Sequence, residues 1–119
     1  MKKILFIEDE SQLVEAYRDK FSKIYEVNFA IDSASAIEKA KEWKSDLIVL
    51  DILIPGELNG IGVLKELKAM EETKLIPVLV LTNLEDQEGV VLSLGAIDCL
   101  VKSNTSFETV ENKVRSILE

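Results

Sequence analysis

Five short apolar runs punctuate the chain at nearly even intervals: "ILFI" (4–7), "YEVNFA" (25–30), "LIVL" (47–50), "VLVL" (78–81) and "CLV" (99–101). Between them, apolar residues recur at helical spacing. Leu13, Val14, Tyr17, Phe21 and Ile24 share one face of a segment that starts at Ser11, and "SASAIEKAKEW" (33–43) follows Asp32, a good N-cap. "GVLKELKAM" (62–70) carries Leu64, Leu67 and Met70, and a short helical pattern from about Glu85 to Leu94 is closed by Gly95. The last helix sets Phe107, Val110, Val114 and Ile117 on one side, behind a Thr105/Glu108 capping box. Strands that alternate with helices imply a parallel sheet covered on both faces, an α/β fold.

The runs also differ from one another. The first, third and fourth are apolar throughout, as central strands must be, whereas 25–30 alternates as an edge strand does. That predicts a five-stranded order 2-1-3-4-5, the doubly wound arrangement shared with flavodoxin, with helices one and five on one face and two, three and four on the other. In such sheets a ligand binds beyond the carboxyl ends of the strands. Strand one ends in Glu8-Asp9, strand three in Asp51, strand four in Thr82 and strand five in Lys102. An Asp at the end of "LIVLD" costs several kcal/mol if buried without a partner, so it is expected to emerge at this rim among the others.

Composition narrows the chemistry. The 119 residues suit one domain, 1–119, with no linker or repeat. Histidine is absent and Cys99 is the single cysteine, which removes the usual general base, a zinc cluster and any internal disulfide. The net charge of −8, with lysines scattered, makes direct nucleic-acid binding a poor expectation. No apolar stretch reaches membrane-spanning length, and "MKKILFIEDE" is no secretory signal, so a cytoplasmic location is expected.

Three clustered acids repel one another unless a cation intervenes. Hard oxygen ligands alone select magnesium, manganese or calcium, and few carboxylates with room for water suit magnesium best. A cation beside Asp51, the Lys102 ammonium and the Thr82 hydroxyl are the parts that phosphoryl transfer requires. Asp51, ionised at neutral pH, can be the nucleophile and form an aspartyl-phosphate. Taken singly, each residue has a duller explanation: acids suit a helix N-terminus, Thr suits strands, most lysines are solvated. Those explanations do not cover four of five strands ending this way. Gly56, Gly60 and Gly62 read as permissive loop residues rather than a phosphate cradle.

Four motifs in order, "ILFIEDES", "LIVLDILIPG", "VLVLTN" and "GAIDCLVKS", make the whole chain resemble a response-regulator receiver domain of two-component signalling, here as a stand-alone unit. The resemblance implies that Asp51 accepts phosphate from a sensor histidine kinase or a histidine phosphotransfer protein. It implies magnesium held by Asp9, Asp51 and the Leu53 backbone carbonyl, with Glu8 helping directly or through water. Thr82 and Lys102 would bind the phosphoryl oxygens and signal to an unknown downstream protein. Departures from the family pattern concern output. Cys99 replaces the usual aromatic switch residue, so coupled rotation with Thr82 is not expected. Ser103 replaces a proline preceded by a cis bond; before serine that form costs roughly 3 kcal/mol, which favours trans. The loop "GELNG" is one residue longer than usual, and helix four about two shorter. Leu53 and Leu84 stand where polar groups often position hydrolytic water, which predicts a long-lived aspartyl-phosphate.

Three other functions compete. An aspartyl-phosphate phosphatase typically needs a second Asp where Leu53 stands, and a flavin carrier needs a hydroxyl-rich loop where "EDES" lies. A receiver-like binding module that has lost phosphorylation is opposed by the full set Asp9, Asp51, Thr82 and Lys102.

Overall fold

In a computed structural model that describes all 119 residues, the chain forms β1 (Lys3–Ile7), α1 (Ser11–Phe21), β2 (Glu26–Ala30), α2 (Ser33–Glu42) and β3 (Leu47–Leu50). It continues through α3 (Gly60–Ala69), β4 (Val78–Thr82), α4 (Glu88–Ser93), β5 (Asp98–Val101), a 3-10 turn (Lys102–Asn104) and α5 (Phe107–Leu118). All strands pair in parallel in the order β2-β1-β3-β4-β5, as the apolar pattern predicts.

Alternation along the strands divides the core in two. Ile4 and Phe6 of β1 face α1 and α5, where Phe6 stacks on Tyr17 and Phe29 at centroid distances of 5.0 and 5.3 Å. Leu5 and Ile7 face the other way, against Ala36 and Ala40 of α2, Val63, Leu64 and Leu67 of α3, and Val91 of α4. Ala36 and Ala40 pack α2 on one face of the sheet, while aromatics fill the space under α1 on the other. Burying each of the larger aliphatic and aromatic side chains contributes about 1.5–3 kcal/mol, which is what holds an all-parallel sheet together. No helix is long and apolar enough to cross a membrane.

Several helix ends differ from the periodic reading. α1 stops at Phe21 and leaves Ile24 half exposed, because the Glu26 amide must donate to the Lys2 carbonyl to start β2. α3 begins at Gly60, capped by Asn59, whose side chain accepts from the Gly62 amide. α4 begins at Glu88 rather than near Glu85, since Asp86 takes a left-handed conformation (φ 60°) that no helix contains. Gly95, at φ 106°, ends that helix as expected. α5 is capped by Ser106, which accepts from the Thr109 amide; the Thr105 hydroxyl instead donates to the Val101 carbonyl, so the Thr105/Glu108 box does not form. Asp32 caps α2 through the Ser35 amide, as read. No peptide bond is cis, the one before Ser103 included.

Candidate functional site

The sheet itself aligns the acids. Ile7 pairs with Ala30 on one side and Leu50 on the other, so Glu8 and Asp51 step out of the ladder together. The Glu8 amide donates to the Ala30 carbonyl (2.9 Å) and the Asp51 amide to the Ile7 carbonyl (3.0 Å). Both side chains are nearly enclosed, 4% and 6% exposed, while Asp9 faces solvent. Carboxylate oxygens of Glu8, Asp9 and Asp51 lie within 4.8 Å of one another. Three acids with no nitrogen or sulfur donor among them fit a hard divalent cation.

Lys102 enters from the opposite side. β4 and β5 pair through Thr82 and Val101, which puts Lys102 at the rim one residue later. Its ammonium donates to Asp51 Oδ2 (2.7 Å) and to Glu8 Oε1, with the side chain only 11% exposed. Every oxygen of the two enclosed acids is engaged: Asp51 Oδ1 accepts from the Leu53 amide (3.1 Å) and Glu8 Oε2 from the Glu10 amide (3.2 Å). Burial pushes the Glu8 carboxyl above its ordinary value, against the opposing pull of Lys102. Burial pulls the Lys102 ammonium down, but Asp51 and Glu8 together carry it above its ordinary value. It is therefore charged at any physiological pH.

Thr82, fully buried, ends β4, and its hydroxyl accepts from the Leu84 amide (3.2 Å). The residues expected at one rim are thus at one rim, and Leu53 is brought to Asp51 through its amide. Sequence reasoning missed those amide contacts. The signal was available, since Asp and Thr commonly close a turn onto the amide two residues on. It also missed Gly60. That residue is no permissive loop position: a Cβ there would lie 2.3 Å from the Ile52 Cα and 2.4 Å from the Asp51 carbonyl oxygen. Gly56 alone of Gly56, Gly60 and Gly62 has positive φ (121°), and the other two lie in α3. Cys99, half-buried, packs its side chain on the core beside α4.

Gly60→Ala is accordingly expected to cost about 3 kcal/mol, since backbone rather than a flexible side chain must give way. Urea unfolding checks this, and a loss below about 1 kcal/mol would show that the backbone around Ile52 and α3 gives way cheaply.

Comparison with known proteins agrees with this geometry. A family model described as "Response regulator receiver domain" matches residues 4–115. The chain belongs to that family. Receiver domains act in two-component signal transduction as phosphorylation switches rather than as conventional enzymes. The chain is 37% identical, over 98% of its length and 48% of the relative's, to the alkaline phosphatase synthesis transcriptional regulatory protein PhoP of Bacillus subtilis. It spans about half the length of the curated relatives it matches. Among solved structures it is similar to the BeF3-activated N-terminal receiver domain of RstA from Klebsiella pneumoniae, with TM-score 0.89, 26% identity, and 99% of each chain covered. It is also similar to the response regulator TrrA of Thermotoga maritima in complex with Mg(2+)-BeF, with TM-score 0.84, 27% identity, and 99% and 100% covered.

Proposed function

We propose that this receiver domain accepts a phosphoryl group on Asp51 from a phosphohistidine of a sensor histidine kinase or a histidine phosphotransfer protein. The observation that carries this reading is the Lys102 ammonium 2.7 Å from Asp51, beside the Glu8–Asp9–Asp51 cluster. A carboxylate oxygen of Asp51 forms the new P–O bond as the P–N bond to the donor imidazole breaks, and the imidazole leaves with the electron pair. Lys102 shifts from the carboxylates toward the incoming phosphoryl oxygens, and the Thr82 hydroxyl donates to one of them. Asp9, Asp51 and the Leu53 backbone carbonyl would hold magnesium, with Glu8 reaching it directly or through water. The ion would supply charge neutralisation on the transferring oxygens. Output is a change in protein contacts with a downstream partner.

The test is incubation of the chain with acetyl phosphate and magnesium, followed by mass spectrometry. A phosphoryl adduct localised to residue 51 is expected. It should persist for minutes or longer, since Leu53 and Leu84, both exposed and apolar, offer no group to orient water. Decay within seconds would overturn the long lifetime. Sustained hydrolysis of the donor would point to a phosphatase, and no reaction to a phosphorylation-independent binding module.

A further inference from the structure

The ladder between β4 and β5 ends at the pair Thr82–Val101. One further hydrogen bond joins the two segments beyond it: the Ser103 backbone N–H donates to Asn83 Oδ1 at 2.8 Å. We propose that Asn83 is a positioning residue, whose side chain straps the turn after Thr82 to the turn after Lys102 and so fixes the point from which Lys102 reaches Asp51.

Both turns are otherwise closed on themselves. After β4, the Thr82 hydroxyl accepts from the Leu84 amide across Asn83. After β5, the Thr105 amide donates to the Lys102 carbonyl (3.3 Å) and the Thr105 hydroxyl to the Val101 carbonyl (2.7 Å). Opening N–H groups of a helical turn have no partner inside it. Ser103, the second residue of the 3-10 turn, carries such a group. Both Asn83 and Ser103 are exposed, so water could satisfy that N–H; what the Asn83 carbonyl adds is a link between the turns. The link matters because the lysine stem is flexible and its three donors rotate freely. A wandering backbone at 102 would spread the ammonium over many positions, and misplacement on the ångström scale is enough to slow transfer. The bond uses a backbone N–H, which proline lacks and alanine retains.

The inference rests on the phosphoacceptor reading, so its test separates the two. The intact chain and the variants Asn83→Ala, Ser103→Pro, Ser103→Ala and the double Asn83→Ala/Ser103→Pro are given saturating acetyl phosphate. The rate of uptake at Asp51, the magnesium dissociation constant from calorimetry, and hydrogen exchange at the Ser103 amide are read. Asn83→Ala and Ser103→Pro are each expected to slow uptake about 3- to 10-fold, in keeping with one exposed hydrogen bond. Magnesium affinity stays within about twofold, a split that general loosening of the site would not produce. The double variant is no slower than Ser103→Pro alone, because both changes break one link. Ser103→Ala matches the intact chain, and Asn83→Ala speeds exchange at residue 103. Uptake by Asn83→Ala at the unaltered rate, additive losses in the double variant, or equal losses in the two Ser103 variants would overturn the positioning role. Failure of the unaltered chain to take up any phosphoryl group would overturn the functional reading and the positioning role with it. Unchanged exchange at Ser103 in Asn83→Ala would remove the strap itself.

Discussion

Asp51→Asn is expected to take up no phosphoryl group from acetyl phosphate, a fall of more than about 1000-fold, because removing the proposed nucleophile leaves only binding and charge stabilisation behind. The substitution is not free of structural cost. Both Asp51 oxygens accept, one from the Leu53 amide and one from Lys102, whereas an amide side chain offers one oxygen and an NH2. One donor is left facing another, at about 1–3 kcal/mol. Relief of crowding among three acids within 4.8 Å opposes that loss. The variant should therefore stay folded by circular dichroism, so that its inertness is chemical. Magnesium should also stabilise it less than the unaltered chain, since one carboxylate of the cluster is gone. An adduct that survives the substitution would place the acceptor on another residue.

How such a site can be read from a string of letters depends on which forces place each residue. Glu8, Asp51 and Lys102 were legible because each follows an apolar run whose burial sets the register of the sheet. Once β1, β3 and β5 are strands, their ends meet at one rim. Helix ends were less legible, since they are decided by competition with tertiary structure. Ile24 continues the periodicity of α1, yet the chain turns because β2 must pair from Glu26 onward. Asp86 is of a type that tolerates a left-handed backbone, but most Asp residues do not adopt one, so the letter alone does not announce the turn ahead of α4. Thr105 and Ser106 are both capable caps, and the choice falls to Ser106 because the Thr105 hydroxyl is taken by the Val101 carbonyl. Gly60 was misread for a related reason. Its value lies in the close approach of α3 to the backbone of Asp51 and Ile52, a contact between segments that no local pattern encodes. The Asn83–Ser103 bond, 20 residues apart in sequence, belongs with it.

Lys102→Met tests the electrostatic logic of the rim most directly, because methionine keeps much of the stem and removes the charge. The ammonium is the one cation paired with Glu8 and Asp51, and all three side chains are nearly enclosed. Removing one partner of a buried ion pair leaves uncompensated charge, typically at about 3–5 kcal/mol. The loss should depend on pH with a definite sign. Glu8 already has its carboxyl raised above 4.5, by burial first, and Lys102 is what holds it back. Without Lys102 the folded-state value rises further. A carboxyl raised on folding favours the protonated form, so its contribution is most favourable below about pH 4.5 and is lost as pH rises through the higher folded-state value. The variant should thus lie close to the unaltered protein near pH 4 and fall away from it toward pH 8. Magnesium should recover more stability in the variant than in the unaltered chain, a second cation standing in for the missing ammonium. Phosphoryl uptake should nonetheless remain depressed about 100-fold or more even with magnesium in excess, because the ion cannot also supply the hydrogen-bond donor that the proposed function assigns to Lys102. Urea unfolding at several pH values, with and without magnesium, reads the first three effects. A pH-independent loss, or one smaller than about 1 kcal/mol at pH 8, would mean that water and not Lys102 balances the acids.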